Sequence, residues 1–146
     1  MERPRLPIAI VMERRQATHP WDQARWHPLA ALPWQEAGRM VHPVGTAQDR
    51  ETCLMSGLCL ELTPGEIDGY FENWVAPEPK VFVLWHEDAG KAAAVAATVS
   101  YAEGARMLDS GDAAGGLPMH GAIHHWLGRY LQDNYRPRGR RGREHG

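Results

Sequence analysis

Alternating apolar and polar positions predict six strands in the first two thirds of the chain. The clearest spans residues 51–63, where every second residue from Leu54 to Leu62 is apolar or serine, and Gly57 marks a bulge. Pro28 indicates that its strand is an edge or carries a bulge, with Trp26, Pro28, Ala30 and Leu32 on one face. The predicted strands are residues 7–15, 25–33, 39–45, 51–63, 81–86 and 95–99.

Helical spacing predicts three helices. Thr63 and Glu66 form a capping box with Pro64 at the first helical position, and Ser100 and Glu103 form a second box. Glycines in residues 109–116 are predicted to close the second helix. A last helix follows Pro118 and ends near Asn134. The apolar stripes of the first and last helices are Ile67, Tyr70, Phe71 and Trp74, and Ile123, Trp126, Leu127, Tyr130 and Leu131.

This order of elements is typical of an α+β fold. We predict a mainly antiparallel sheet with about three helices packed on one side. Residues 1–135 are predicted to form a single globular domain. Residues 136–146 contain no large apolar side chain and are predicted to form a flexible, disordered, arginine-rich tail.

Composition places the chain among ordinary globular proteins and separates two charge regions. The 146 residues are 43% hydrophobic and 23% charged, with a net charge of −2. Without the five tail arginines and Glu144, 11 basic residues face 17 acidic ones, so the body is acidic. No apolar run reaches the length of a membrane span or a signal core, so we expect a cytoplasmic protein with no membrane partner.

Cysteine and histidine spacing gives no metal centre or disulfide. Cys53 and Cys59 lie six residues apart in one predicted strand, or roughly 20 Å, which is too far for a bridge. His120 and His124 have the spacing of a helical metal pair, but no third ligand is implied. Ser110 follows a helix and is interpreted as a turn residue. We therefore assign no catalytic residue, metal or cofactor.

The stretch from Thr18 to Trp34 holds three of the six tryptophans. One interpretation is that these indoles anchor a long connector to the core. The other is an aromatic and basic contact patch, because tryptophan and arginine dominate protein–protein hot spots. The two interpretations are compatible if one indole is buried and another lies at the rim. The predicted patch consists of Arg14, Arg15, Trp21, Arg25 and Trp26.

Several short motifs resemble the bacterial domain-of-unknown-function family three-three-zero-five. The resemblance runs from about Pro7 to Tyr135, and its first block is the most specific. The chain departs from the family pattern at residues 100–103 and at Pro33 and Trp34. The matching residues are Glu13, Arg14 and Arg15; Pro20 and Trp21; Arg25, Trp26 and Pro28; Leu108, Asp109, Ser110 and Gly111; and Pro118, Met119 and Trp126.

The resemblance implies a genomic context but no mechanism. Members are encoded near molybdenum- or tungsten-dependent formate dehydrogenases, and no activity is established for the family. We therefore expect a non-catalytic accessory protein that binds a formate dehydrogenase or one of its maturation factors.

Two other functions remain open. One is a small enzyme or carrier that handles a pterin-nucleotide cofactor. The other is nucleic-acid binding through the tail, which the acidic body disfavours. The tail residues available for such a contact are Arg136, Arg138, Arg140, Arg141 and Arg143.

Overall fold

The computed structural model describes residues 3–15 and 25–137. These residues form seven strands and three α-helices, so the predicted α+β class is confirmed. The strands are β1 Arg5–Arg15, β2 Trp26–Pro33, β3 Met40–Ala47, β4 Arg50–Glu61, β5 Lys80–Asp88, β6 Lys91–Thr98 and β7 Ala113–Pro118. The helices are α1 Ile67–Trp74, which follows a 3-10 turn at Pro64–Glu66, α2 Tyr101–Asp109 and α3 Gly121–Asn134.

The strands divide between two antiparallel sheets rather than lying in one. The first sheet has the order β2-β1-β4-β3, and the second has the order β6-β5-β7. The chain leaves the first sheet at Glu61, passes through α1 and enters the second sheet at Lys80. β4 lies against β6, and β2 lies against β7. Alternation along a strand does not specify its neighbours, so the sequence could not show this division.

The core combines the inward faces of both sheets. Ile8, Ile10 and Met12 of β1 belong to one buried cluster with Val81 and Val83 of β5. Phe82 points to the other side of the second sheet, where its ring packs against Gly104 of α2. α1 contacts both α2 and α3, so the three helices form one connected layer.

Bulges change which residues of β2 and β4 face the core. In β4, the predicted bulge at Gly57 is confirmed: the register with β1 shifts there and Gly57 has φ +100°. Cys53 and Met55 are buried before the bulge, and Leu58 and Leu60 after it. The prediction of one continuous leucine face is therefore wrong, because the extra residue inverts the alternation.

β2 behaves in the same way. It is an edge strand, as Pro28 indicated, and its register with β1 shifts at Leu29. Trp26 and Ala31 are buried, whereas Leu29 is exposed. The predicted common face for Trp26, Pro28, Ala30 and Leu32 is thus broken by the bulge.

The two predicted capping boxes differ in outcome. Ser100 caps α2, because its Oγ accepts a hydrogen bond from the Glu103 N–H at 3.2 Å. Thr63 makes no side-chain capping bond, and Glu66 instead accepts a hydrogen bond from Ser100 Oγ at 2.8 Å. Ser100 therefore joins the start of α2 to the turn before α1.

The glycine-rich segment after α2 is only partly a turn. Ser110 closes the helix by donating its hydroxyl to the Met107 carbonyl at 2.7 Å. The following residues form β7, whereas their glycines predict a helix-closing turn. That prediction is wrong because β7 pairs with β5, whose apolar residues supply the burial that the Ala-Ala-Gly-Gly segment lacks. Among the described residues, no helix has the length and apolar character needed to cross a bilayer.

Candidate functional site

Arg14 and Trp26 lie side by side in register on β1 and β2. The Arg14 guanidinium carbon is 5.3 Å from the centre of the Trp26 ring, a cation–π distance. Arg14 Nη1 and Trp26 Nε1 each donate a hydrogen bond of 3.0 Å to the Gly90 carbonyl. Arg14 also pairs with Glu51 at 2.6 Å, and the Trp26 N–H donates to Glu87. We call these five residues the clamp, because they tie the first sheet to the β5–β6 turn.

Glu13 points to the opposite side of β1 from Arg14. Its side chain is only 8% exposed, yet three basic side chains surround it. Glu13 Oε1 lies 3.4 Å from Arg15 Nε and 3.2 Å from His27 Nε2, and Glu13 Oε2 lies 3.8 Å from Arg50 Nη1. We call these four residues the Glu13 cluster. With His27 neutral it carries one excess positive charge, located on exposed arginines.

The Glu-Arg-Arg sequence at the end of β1 follows from strand geometry. Successive side chains of a strand point to opposite faces. Glu13 and Arg15 therefore share one face, and Arg14 lies on the other, where it joins the clamp. The three adjacent charges thus belong to two separate polar groups.

An apolar row lies next to the Glu13 cluster on the same face of the first sheet. Register places Ala30 of β2, Val11 of β1 and Leu54 of β4 side by side. All three are partly exposed. We call this row together with the Glu13 cluster the open face. A groove of about 470 Å³ next to Glu13 and Arg50 is lined by residues 44–48 of the β3–β4 hairpin.

The structure separates the residues of the predicted contact patch. Arg15 is exposed on the open face, and Arg25 is exposed immediately before β2. Trp26 is only 7% exposed and Arg14 is half-buried, so both serve inside the clamp. Trp26 is therefore an anchoring indole. Trp21 lies outside the described residues.

Comparison with known proteins identifies a family. A family model described as "Protein of unknown function (DUF3305)" matches residues 7–144. The chain belongs to the DUF3305 family. No curated protein and no solved structure matches it.

The DUF3305 chain also presents an unusually exposed strand. All eight residues of β3 are exposed. Met40, Val41 and Val44 are 58%, 57% and 63% exposed, which makes them the three most exposed large hydrophobic residues of the described chain. Within residues 3–15 and 25–137, β3 forms the edge of its sheet and pairs only with β4. Its other edge therefore offers free backbone groups next to apolar side chains.

A second groove lies between α1 and α3. It has a volume of about 520 Å³, and His124, His125 and Arg129 are among its lining residues. Trp74 and His124 stack at 4.8 Å and exchange hydrogen bonds: Trp74 Nε1 donates to the His124 carbonyl at 2.9 Å, and His124 Nε2 lies 3.1 Å from the Trp74 carbonyl. His124 therefore fastens α3 to α1.

His120 and His124, which have the spacing of a helical metal pair, both make hydrogen bonds within the fold. His120 caps α3, with its Nδ1 accepting a hydrogen bond from the Ala122 N–H at 3.0 Å. In the described part of the chain, no three His, Cys, Asp or Glu side chains are grouped so that they could hold a metal ion.

Both cysteines are free thiols, as predicted. Burial raises the pKa of Cys53 and of Cys59 above the ordinary thiol value. The nucleophilic thiolate is therefore less populated near neutral pH than in an exposed cysteine. Burial also raises the pKa of Tyr70, whose hydroxyl oxygen accepts a hydrogen bond from the Thr63 N–H.

Of the tail arginines, only Arg136 falls within the described residues. It is exposed, and its Nη1 donates to the neighbouring Tyr135 carbonyl at 2.9 Å. Tyr135 stacks on Phe71 at 4.1 Å, so α3 ends against α1. Arg138, Arg140, Arg141 and Arg143 lie outside the described residues.

Sequence reasoning missed the apolar half of the open face and the role of His27. The sequence pattern predicts Val11 only as a strand residue and places Leu54 on a buried leucine face, whereas both are partly exposed on the open face. Their neighbourhood depends on pairing between β1 and β4, which are about 40 residues apart in the chain. The available signal was that Glu13 and Val11 have the same parity in one strand and so share a face.

Proposed function

We propose that this DUF3305 protein is a cytoplasmic, non-catalytic accessory protein that binds another protein through the open face. The observation that supports this most is the partly exposed row Ala30–Val11–Leu54 beside the two exposed arginines of the Glu13 cluster. An apolar centre with arginine at its border is typical of interface hot spots. Such a surface fits a partner that presents apolar side chains next to a carboxylate.

The clamp gives this surface a fixed support. Arg14 alternates with Glu13 and Arg15 on β1, and its contacts to Trp26, Glu51 and Gly90 hold that end of the strand in place. Side chains that are already ordered lose less entropy when a partner binds. Arg14 and Trp26 therefore act as positioning residues. Arg15 supplies contacts on the open face, and so does the exposed Arg25, because alternation places it on the side of the chain opposite Trp26.

The resemblance to formate-dehydrogenase-associated proteins makes a formate dehydrogenase, or a factor that matures it, the first partner to test. The cationic border of the open face favours an acidic patch on that partner. Charge complementarity of this kind mainly increases the association rate and is weakened by salt.

The pterin-nucleotide alternative has a weaker structural basis. The groove between α1 and α3 contains aromatic rings, but Phe71 stacks on Tyr135 and Trp74 stacks on His124. One face of each of these rings is therefore covered within the chain, which leaves less aromatic surface for a flat heterocycle.

A binding measurement with purified proteins tests the proposal. The full chain is immobilised, and formate dehydrogenase and its maturation factors are each passed over it. We expect one of them to bind, and Arg15→Glu together with Arg25→Glu to weaken binding by about tenfold or more. Arg129→Glu on α3 is the control, because it makes the same kind of charge reversal at an exposed site that lines a groove with Arg3 and Pro4, before the start of β1 and so toward the opposite end of that strand from Glu13.

Two results would contradict the proposal. One is binding that is equally strong in the double variant and in the control. The other is purified protein that carries a stoichiometric pterin or nucleotide and binds none of the tested proteins, which would favour the carrier alternative.

A further inference from the structure

The free edge of β3 has no charged side chain to protect it. Natural edge strands usually avoid pairing with other chains by carrying lysine, by being short, or by being covered. β3 is eight residues long, fully exposed and composed of Met, Val, His, Pro, Gly, Thr and Ala. Its protective features are Pro43, which lacks an N–H, and the register shift at Val44. The strand is thus available on both sides of Val44.

We propose that β3 pairs antiparallel with β3 of a second copy of this chain. An extended strand satisfies the free N–H and C=O groups of the edge, which a helix or a small molecule does not. Pairing also covers part of the exposed Met40, Val41 and Val44 side chains. β3 contains no Lys, Arg, Asp or Glu, so two copies of it meet without repulsion between such side chains.

Charges at the two ends of β3 favour a second copy over an unrelated strand. Arg39 immediately precedes β3, and Asp49 lies in the turn that follows it. Both are exposed, and neither has an ion-pair partner among the residues that the structure describes. Antiparallel two-fold pairing brings the start of one β3 to the end of the other. Arg39 of each copy then lies near Asp49 of the second copy, so the complementary contact occurs twice.

The same geometry limits assembly to two copies. The opposite edge of the first sheet is β2, which contains Pro28 and Pro33 and lies against β7. That edge is therefore not free to continue the sheet. Pro43 and the shift at Val44 restrict the new ladder to Met40–His42 and Gly45–Ala47, so we expect a dimer that forms and dissociates with concentration.

Dimerisation would place both open faces on the same side. Side-by-side antiparallel strands are related by a two-fold axis perpendicular to the sheet, and that axis does not exchange its faces. The dimer proposal does not depend on the proposed function, because it concerns a different edge and requires no other protein.

Sedimentation equilibrium of the full chain, from micromolar to millimolar concentration, tests the dimer. We expect a monomer–dimer equilibrium. Arg39→Asp and Asp49→Arg should each weaken the dimer by about tenfold or more, because either change turns two attractions into two repulsions. The double variant restores opposite charges and should return affinity to near that of the original chain. Arg129→Asp is the control and should leave the equilibrium unchanged.

Hydrogen exchange provides a readout that does not use mutation. The amides of β3 should exchange more slowly as protein concentration rises, whereas those of α3 should not change. A chain that stays monomeric throughout the range would overturn the proposal. A dimer that is insensitive to the charge reversals, is not rescued by the double variant, or protects amides outside β3 would overturn it too.

Discussion

β2 and β3 are the two edges of the same four-stranded sheet, yet β2 is partly buried and β3 is exposed along its whole length. β2 begins with the buried Trp26, contains the buried Ala31 and lies against β7 of the second sheet. β3 has no buried residue. Both strands contain proline, so composition alone does not explain the contrast. The difference shows that burial of an edge depends on what lies opposite it.

Sheet size provides the physical reason. The second sheet has three strands and the first has four. With β7 against β2 and β6 against β4, the second sheet reaches across three strands of the first. β3 extends beyond it. Val41 and Val44 therefore remain outside the core, although β3 is hydrogen-bonded to β4, which contributes residues to that core.

The largest expected difference in stability is between alanine variants of Trp26, at the start of β2, and Trp34, directly after β2. Trp26→Ala removes a buried ring, its cation–π contact with Arg14 and its hydrogen bond to the Gly90 carbonyl. We expect the free energy of unfolding to fall by about 3–5 kcal/mol. Trp34→Ala, at a residue that is 38% exposed, should lower it by less than about 1 kcal/mol. Urea unfolding followed by circular dichroism measures both.

Equal losses from the two tryptophan variants would contradict the assignment of Trp26 as the anchor. Tryptophan fluorescence is not suitable as the only probe, because each variant removes an emitting residue. An unchanged slope of free energy against urea concentration would show that both variants still unfold as the original chain does.

Two glycines test how tightly β3 is packed. Gly57 of β4 lies against Arg39, which directly precedes β3, and Gly45 lies within β3 itself. Gly57 has φ +100°, and an added Cβ would lie 2.6 Å from the Arg39 Cα. Gly57→Ala should therefore cost about 2–3 kcal/mol of stability, because both the backbone and the close contact resist a side chain. Gly45 has nothing within 4 Å of an added Cβ, so Gly45→Ala should change stability by less than about 0.5 kcal/mol.

Thermal unfolding of the two glycine variants under identical conditions measures this difference. A Gly57→Ala protein as stable as Gly45→Ala would mean that the bulge in β4 is not constrained by the approach of Arg39.

The smallest expected difference separates the two arginines of the Glu-Arg-Arg sequence. Arg14→Ala removes a half-buried group that contacts Trp26, Glu51 and Gly90, and should cost about 1–2 kcal/mol. Arg15→Ala removes an exposed contact and should have little effect. Denaturant unfolding of both variants tests this, and a larger loss for Arg15 would reverse the roles given to the two faces of β1.

Much of the fold was predictable where a single element carries its own signal. The stripe from Ile123 to Leu131 predicted α3, and Ser100 predicted the start of α2. Strands β1 and β4 followed from their apolar residues. These signals depend on residues that are close together in the sequence, so they do not require knowledge of the tertiary neighbours.

The remaining features depend on contacts between distant residues. β7 has small residues and two glycines, and its strand structure comes from pairing with β5. Gly57 and Pro28 indicate where bulges can form, but the reversal of the inward face at Leu29 and Gly57 follows only once the register with β1 is known. The division into two sheets also leaves no trace in strand composition.

The candidate site was predicted in part. The sequence selected the Glu-Arg-Arg segment and the tryptophans but not their opposite directions. Arg14 and Trp26 were chosen for a contact surface by residue type, and residue type does not report burial. The open face was missed because Val11, Ala30 and Leu54 become neighbours only through pairing across three strands.

The carbonyl oxygen of Gly90 has a mechanical consequence. It accepts hydrogen bonds from both Arg14 and Trp26, which occupies its two lone pairs. A hinge motion between the two sheets would have to break both bonds together and expose a charged and an aromatic donor at once. The tip of one hairpin therefore stiffens this end of the molecule, because two donors from the first sheet share one acceptor in the second.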